Sequence, residues 1–411
     1  MSELPHSRRR FLRDCSAGIL AITAAGSGCN REEQPPAPEQ HQRQEILESV
    51  RPDPATGISE AVIVKGKENP LVFTDQIRPR NPSESVSKQF SDAMEQLTEN
   101  LKPAGSGWGA LVRMHFYVRT DETAGGIRAV MARVFKDVHK PAATFTRGEL
   151  EFPDVAFVMD VVSLSGLVQS GADPLSVRRE PRAVVLPPGP LLYVSGEARP
   201  GTFDEATRGT LADLEAMLRF AGCTWSDVAQ LKAFVNPMSS VARARSIITD
   251  HLAGQPIPML VFVEWQSGSS PIEIELVARG PKARGDAMTG SVEFLTPTGA
   301  TKSPVYSKAA IVKTDRLIYT SGLYGDGPDA GARIRDIFGK LRTLTEQSGG
   351  NFDNLVKATY YVQDAESSKL LNVIRPEFYN AERPPAASKA IVRGVGRNDR
   401  KITVDMIAAG S

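Results

Sequence analysis

Ala110-Leu-Val-Arg-Met-His-Phe-Tyr-Val118 is one of three similar stretches in this 411-residue chain. The other two are Val228-Ala-Gln-Leu-Lys-Ala-Phe-Val235 and Leu355-Val-Lys-Ala-Thr-Tyr-Tyr-Val362. Each stretch is rich in β-branched and aromatic residues and ends in a polar turn, which predicts a β-strand. A segment with apolar residues at helical spacing precedes each one. Self-similarity of this kind indicates an internal repeat.

The elements around these stretches keep a nearly constant spacing. A second predicted strand ends at Thr74, Val194 and Thr320, which lie 44, 41 and 42 residues before the last valine of each stretch. A second helix and a strand hairpin follow. We therefore predict an α+β fold of three tandem β-β-α-β-α-β-β units: repeat 1 at residues 58–167, repeat 2 at 182–280 and repeat 3 at 303–411. The Gly-, Pro- and Ser-rich segments 168–181 and 281–302 are predicted to be linkers.

Composition excludes several classes of protein. Lys and Arg number 49 against 48 Asp and Glu, a balance that does not support a nucleic-acid partner. Hydrophobic residues make up 41% of the chain, so most of it is not disordered. The three cysteines and five histidines have no metal-ligand spacing, and the sequence predicts no metal site, no cofactor and no disulfide framework. No apolar run reaches the ~20 residues that span a bilayer.

The N-terminus carries a candidate targeting segment. Ser7-Arg-Arg-Arg-Phe-Leu-Arg13 resembles a twin-arginine export signal, and the short apolar segment 17–25 fits that reading. Cys29 follows small residues, as in a lipoprotein cleavage box, although Gly26 stands where such boxes have Leu. We predict a signal over residues 1–29, an exported mature protein and a candidate lipid anchor at Cys29. The alternatives are a basic start without targeting value and ordinary cleavage nearby.

Residues 30–57 are rich in Glu, Gln, Pro and Arg and contain few aliphatic residues. Such a composition buries too little apolar area to offset the entropy of the chain. We therefore predict a disordered tether over this range.

Several motifs resemble those of one family, the RidA imine deaminases, also called the YjgF, L-PSP endoribonuclease or 2-iminobutanoate/2-iminopropanoate deaminase family. In repeat 2 these are Tyr193-Val-Ser-Gly196, Ala221-Gly-Cys-Thr-Trp-Ser-Asp-Val228 and Pro271-Ile-Glu-Ile-Glu-Leu-Val-Ala278. In repeat 3 the motif is Asp353-Asn-Leu-Val-Lys-Ala-Thr-Tyr-Tyr-Val-Gln-Asp364. Repeat 1 is the most diverged of the three.

The resemblance implies a chorismate-mutase-like unit that assembles as a trimer, with its sheets in a central barrel and a ligand cleft between each pair of neighbours. Three copies in one chain then imply an intramolecular pseudo-trimer that is monomeric in solution. Tethering raises the effective concentration of the copies, and it lets the three clefts diverge.

The family hydrolyses 2-imino acids to 2-keto acids and ammonia. The resemblance implies an Arg that grips the substrate carboxylate, since its planar fork matches that group. The motif aligns that position with Ala143, Pro258 and Ala387, so no repeat has the Arg.

The resemblance also implies a Glu that positions a water molecule for attack. Only repeat 2 has it, as Glu273, while Val158 and Thr403 stand in the other repeats. Two residues further on, every repeat has an acid on the same strand face: Asp160, Glu275 and Asp405. These acids are either functional or hydrogen-bonded strand carboxylates. Glu273 and Asp405 are the candidate catalytic residues.

Lys389 lies two residues after Ala387 and is the candidate substitute for the Arg. The predicted ligand-binding residues are Lys389, Tyr306, Ser321, Gly322, Asn372, Ser195 and Gly196. Five of them, all from repeat 3, are expected in one cleft: Tyr306, Ser321, Gly322, Asn372 and Lys389. Arg128 and Arg245 share the offset of Asn372 in repeats 1 and 2 and are predicted to be surface residues on helices.

Two classes of function remain open. The first is a protein with degenerate clefts that binds a small molecule, such as an imino or keto acid, without deaminase activity. The second is an imine or enamine deaminase, or another hydrolase, of altered specificity. Scaffolding in an exported complex is a third and weaker alternative.

Overall fold

The structure is a computed structural model that describes residues 46–66, 69–166, 176–266 and 269–410. The predicted signal and Cys29 lie outside the described residues. So does the predicted tether as far as residue 45. None of the described helices is long and apolar enough to cross a bilayer.

The predicted order β-β-α-β-α-β-β occurs in all three ranges. The first range contains β2 Ile58–Lys65, β3 Leu71–Thr74, α1 Val86–Leu101, β4 Leu111–Val118, α2 Asp121–Val134, β5 Ala142–Arg147 and β6 Phe157–Leu164. The second contains β8 Ala183–Leu186, β9 Leu191–Glu197, α3 Phe203–Ala221, β10 Val228–Val235, α4 Val241–His251, β11 Met259–Glu264 and β12 Ile272–Arg279. A short helix, α5 Lys282–Ala287, follows. The third contains β14 Ala309–Val312, β15 Arg316–Thr320, α6 Ala330–Gln347, β16 Gly350–Val362, α7 Ala365–Ile374, β17 Ala386–Ile391 and β18 Ile402–Gly410.

Each range is preceded by one more strand that the sequence analysis does not predict. These strands are β1 Leu47–Asp53, β7 Arg178–Glu180 and β13 Val292–Leu295, and each pairs antiparallel with the next strand of the chain. The prediction of a disordered tether is therefore wrong for β1, and the predicted linkers contain β7 and β13. Backbone hydrogen bonds to a neighbouring strand hold such a segment, and low apolar content does not reveal them.

The helices begin at polar side chains and cover one face of the sheets. Side-chain oxygens of Ser85, Thr120, Thr202, Asp329 and Asp364 accept hydrogen bonds from the first turns of α1, α2, α3, α6 and α7. The buried side chains of the helices form one apolar core with the strands of each repeat. The opposite sheet faces meet in two further apolar clusters that draw residues from all three repeats. Strands such as β4 are therefore buried on both faces.

The first strand of each repeat pairs with a strand of a different repeat. β8 of repeat 2 pairs with β3 of repeat 1, and β14 of repeat 3 pairs with β9 of repeat 2. β2 of repeat 1 pairs with β15 of repeat 3. The exchange therefore runs through all three repeats and returns to the first, so no repeat completes its own sheet.

This exchange fixes which residues correspond between repeats. Ala183, Ala309 and Ala61 oppose Thr74, Val194 and Thr320, the last residues of the predicted strands. Two positions before these alanines stand Pro181, Ser307 and Ser59 respectively.

At two of these three positions the backbone N–H donates a hydrogen bond to the carbonyl before a neighbouring strand. Ser59 N donates to Pro141 O at 3.0 Å, and Ser307 N donates to Pro385 O at 2.9 Å. Pro181 has no N–H and cannot make this bond. β2 pairs with β5 within a 12-stranded sheet, Ser307 forms an isolated bridge with Ala386, and β8 and β11 lie in different sheets.

Ser195 and Ser321 reinforce the same strand junctions. Ser195 Oγ donates to Ser307 O at 2.5 Å and accepts from Ala387 N at 2.7 Å. Ser321 Oγ donates to the carbonyl of Ser59 at 2.5 Å and accepts from the amide of Ala143 at 2.8 Å. The sequence analysis predicts both serines as ligand-binding residues, but the structure uses both hydroxyls between strands.

We predict that Ser195→Ala and Ser321→Ala each lower the free energy of unfolding by about 1–3 kcal/mol. Each change leaves a buried backbone amide without its hydrogen-bond partner. Urea unfolding followed by circular dichroism measures the effect. Ser87→Ala, an exposed serine on α1, is the control and should change stability by less than about 0.5 kcal/mol. Equal stability of the three variants would contradict the junction role.

Candidate functional site

The predicted catalytic residue Asp405 lies in a buried polar cluster where strands of the three repeats meet. Its carboxylate Oδ1 accepts from Arg113 Nη1 at 3.1 Å, and its Oδ2 lies 3.5 Å from His115 Nε2. Lys357 Nζ donates to Glu275 Oε2 at 2.7 Å in the same cluster. The charged and ionisable members, all with at most 8% of their surface exposed, are Arg113, His115, Lys232, Lys357, Asp160, Glu275 and Asp405.

Strand register explains why these residues gather. His115 opposes Asp160, Lys232 opposes Glu275 and Thr359 opposes Asp405 on equivalent strand pairs. The cluster surrounds a cavity of only about 30 Å³, which leaves no room for a substrate. The structure thus separates Asp405 from the clefts, contrary to the prediction that it acts in one.

The cluster also sets the protonation of its acids. Burial alone would raise the pKa of Asp405, but Arg113, His115 and Lys232 hold it well below its ordinary value. Lys357 and Lys232 likewise lower the pKa of Glu275 against the effect of burial. Lys232 and His115 lower the pKa of Asp160 in the same way, so all three acids are ionised near pH 7.

Glu273 and Lys389 line one cavity of about 550 Å³ between repeats 2 and 3, which we name cleft 2/3. Repeat 2 contributes Gly196, Trp265, Ser269 and Glu273 to it. Repeat 3 contributes Tyr306, Ser368, Arg375, Ala387, Ser388, Lys389 and Ile391. Asn372 joins them through Lys389, whose Nζ donates to Asn372 Oδ1 at 3.0 Å.

Gly196 leaves room for the Glu273 side chain, since a Cβ atom at residue 196 would lie 2.0 Å from Glu273 Oε1. Burial and the negative charge of Glu275 raise the pKa of Glu273 to about 8. Burial and the charge of Arg375 lower the pKa of Lys389. The cleft thus presents a largely protonated carboxyl group beside positively charged groups at neutral pH.

Arg375 is a cleft residue that the sequence analysis does not identify. It opens the short 3₁₀ helix Arg375–Glu377 after α7 and keeps 9% of its surface exposed. Its guanidinium lies 5.4 Å from the centre of the Tyr360 ring. The equivalent positions on the second helices of repeats 1 and 2 are the buried Met131 and Ile248. An Arg within an otherwise apolar helix face is the signal that could have identified it.

Two of the predicted ligand-binding residues lie elsewhere. Ser321 and Gly322 line a cavity of about 370 Å³ between repeats 3 and 1, which we name cleft 3/1. They are therefore not in the same cleft as Lys389, because repeat 3 contributes its Ser-Gly pair to cleft 3/1 and its strand β17 to cleft 2/3. Asp75 and Gln76 replace the pair in the cavity between repeats 1 and 2, cleft 1/2, which has about 710 Å³.

Register also corrects one aligned position. Met114, Leu231 and Ala358 occupy equivalent positions and oppose Ala143, Leu260 and Ala387. The residue equivalent to Ala143 in repeat 2 is thus Leu260 and not Pro258. The two prolines of Pro256-Ile-Pro258 allow a shift of two residues when only the sequence is aligned.

Comparison with known proteins identifies the family. The family described as Endoribonuclease L-PSP matches residues 182–279 and 300–410, just over half of the chain. The chain therefore belongs to this family, and the matched ranges fall on repeats 2 and 3. The comparison with curated proteins gives no match.

Solved structures similar to this chain include members of the YjgF family. NMB1025 from Neisseria meningitidis has 16% identity and a TM-score of 0.23, and the match covers 29% of this chain and 95% of that protein. Rv2704 from Mycobacterium tuberculosis has 17% identity and a TM-score of 0.22, with 29% and 99% covered. YEO7 from yeast has 19% identity and a TM-score of 0.22, with 29% and 99% covered.

We predict that Lys357→Met destabilises the protein by about 3–5 kcal/mol, because it removes the ammonium group that is hydrogen-bonded to the buried Glu275 carboxylate. The double variant Lys357→Met/Glu275→Leu should recover most of that loss. Urea unfolding at pH 7 measures both. Lys88→Met, which breaks the exposed pair with Glu84, is the control and should cost less than about 1 kcal/mol.

We also predict that the free energy of unfolding of these variants depends on pH differently from that of the parent. The pKa of Glu275 is lower in the folded chain, so its stabilising effect is present above about pH 4 and is lost as the pH falls below that value. The double variant should lose less stability than the parent between about pH 5 and pH 3. Parallel stability curves would contradict a pairing role for Glu275.

Proposed function

We propose that the protein binds a small carboxylate-bearing molecule, an imino or keto acid, in cleft 2/3. The observation that carries the proposal is the convergence of Glu273 from repeat 2 with Lys389 and Arg375 from repeat 3 on one cavity. A cleft with a few convergent polar groups and shifted pKa values is the usual form of a small-molecule site.

The charges in this cleft favour an anion. Lys389 donates to the neutral amide of Asn372, and within the described ranges neither Lys389 nor Arg375 forms an ion pair. Glu273, with its raised pKa, does not neutralise them fully at pH 7. A ligand carboxylate would supply the missing negative charge, and Arg375 could bind it through its planar fork.

The proposal replaces the family's arginine with groups from other elements. Ala143, Leu260 and Ala387 occupy the strand position where the resemblance implies that residue. In cleft 2/3 the positive charge comes instead from Lys389 on β17 and from Arg375 after α7. An arginine supplied by a helix end approaches the ligand from another side, which is a reason for altered specificity.

We propose in addition that the three repeats form a monomeric pseudo-trimer around a central barrel. The cyclic exchange of β2, β8 and β14 supports this arrangement, because each repeat lends its first strand to one neighbour and receives a strand from the other. Native mass spectrometry should give the mass of one chain, and a mass of three chains would contradict the proposal.

Export remains a proposal that rests on the residues 7–13 alone. Arg8→Lys/Arg9→Lys should retain the protein in the cytoplasm, and undiminished export of this variant would remove the claim. We do not propose ribonuclease activity, since the chain carries 49 basic and 48 acidic residues and RNA-binding surfaces are basic.

We predict that Lys389→Ala and Arg375→Met each weaken the binding of pyruvate at least tenfold in isothermal titration calorimetry. Met is the residue that repeat 1 has at the position of Arg375, so this variant should fold. Lys369→Ala, an exposed lysine on α7, is the control and should bind like the parent. Unchanged affinity in both cleft variants, with unchanged melting temperatures, would contradict the site.

A second candidate function is the hydrolysis of an imine in the same cleft, and the Glu273 pKa of about 8 favours it. In this reaction water adds to the C=N carbon, ammonia leaves and a keto acid forms. A carboxyl group that titrates near the working pH can accept a proton from the water and return it to the nitrogen.

We expect the protein to accelerate the loss of 2-iminopropanoate, generated enzymatically, over the rate in buffer. The rate should change near pH 8 as Glu273 ionises, and Glu273→Gln should lose both the acceleration and this pH dependence. No acceleration by the parent protein would contradict hydrolysis and leave the binding proposal to the calorimetric test.

A further inference from the structure

Arg128 and Arg245 occupy equivalent positions in repeats 1 and 2 and both lie in clefts, although the sequence predicts surface residues. Each guanidinium stacks on an equivalent ring of the neighbouring strand. Arg128 lies 4.1 Å from the ring centre of Phe145, and Arg245 lies 4.8 Å from that of Phe262. Two copies of one cation–π arrangement therefore face two different cavities.

Arg245 already holds a carboxylate. Its Nη2 donates to Glu151 Oε1 at 3.2 Å and to Oε2 at 3.0 Å. Glu151 belongs to the loop between β5 and β6 of repeat 1, which reaches across cleft 1/2. The chain thus displays what a guanidinium in this setting binds, namely both oxygens of one carboxylate.

Arg128 has no such partner. Its Nη1 donates to Gly396 O at 2.8 Å and its Nη2 to Tyr324 OH at 3.3 Å. Among the described residues no carboxylate is hydrogen-bonded to it. Gly396 belongs to the loop between β17 and β18, which corresponds to the loop that carries Glu151. A Cβ at residue 396 would lie 2.4 Å from Phe145 Cβ, so residue 396, which contacts Arg128 through its carbonyl, cannot carry a side chain there.

A second guanidinium raises the positive charge of cleft 3/1. Arg397 lies 4.8 Å from the ring centre of Tyr324 and forms no ion pair in the described part of the chain. The other cations of this cleft have carboxylate partners. Arg51 pairs with Glu60, while Lys340 and Arg400 share Asp326 and pair in addition with Asp336 and Asp399. Arg128 and Arg397 are left facing an open cavity of about 370 Å³.

We propose that cleft 3/1 is a second ligand site, in which Arg128 binds the carboxylate of a small organic anion as Arg245 binds Glu151. Arg397 adds a second positive charge and therefore favours a dicarboxylate. This site uses residues of repeats 3 and 1 only, so it is independent of the Glu273 and Lys389 site in cleft 2/3.

Isothermal titration calorimetry with succinate tests the proposal on the full-length protein. We expect saturable binding at millimolar concentrations, weakened at least tenfold by Arg128→Gln and severalfold by Arg397→Gln. Arg245→Gln is the matched control, because its guanidinium is already occupied, and it should bind succinate like the parent. Lys389→Ala should also leave the affinity of this site unchanged.

A second variant tests the proposal even if Arg128→Gln does not fold. Glu151→Gln frees Arg245 and should raise the number of bound succinate molecules by one. The proposal is overturned if the parent protein shows no saturable binding, if Arg128→Gln and Arg397→Gln both bind like the parent, or if Arg245→Gln loses as much affinity as Arg128→Gln.

Discussion

The exchange of the first strands between repeats is the constraint on which the other features depend. β2, β8 and β14 each complete a sheet to which they do not belong by sequence. An unpaired strand edge exposes a row of backbone donors and acceptors, and the exchange satisfies these rows from within the chain. Because every repeat lends one strand and receives another, the junctions fix the relative positions of the sheets. The clefts lie beside these junctions, so the positions of the junctions determine which residues line each cleft.

Burying the charged groups of the polar cluster costs free energy. Taking paired charges out of water costs several kcal/mol per ion, and attraction within the cluster repays this only with good geometry. Arg113, Lys232 and Lys357 come from different repeats and face acids on neighbouring strands. A shift of one sheet by a residue would bury these charges without partners. We infer that the cluster opposes alternative registers between the sheets, at the expense of stability in acid.

Local features of the fold could be predicted from the sequence, and pairing between distant segments could not. Periodicity identified the β-β-α-β-α-β-β order, since it depends on neighbours along the chain. The composition of 30–57 concealed β1, because its stability comes from hydrogen bonds with β2. The shared cleft of Glu273 and Lys389 could not be derived, as it depends on which repeat meets which. Likewise, Ser321 and Lys389 belong to one repeat but line different clefts.

Strand exchange also bears on how the chain is made. Synthesis delivers β2 early, but its partner β15 is some 250 residues further along, so this part of repeat 1 waits for the end of translation. In the meantime the edge of β2 that later pairs with β15 is free to form wrong contacts. Pairing of β15 in repeat 3 with β2 in repeat 1 is therefore the step that closes the exchange. A chain that is truncated before repeat 3 lacks β15 and leaves one edge of β2 unpaired. We expect such a product to be a target for chaperones and proteases rather than a smaller working protein.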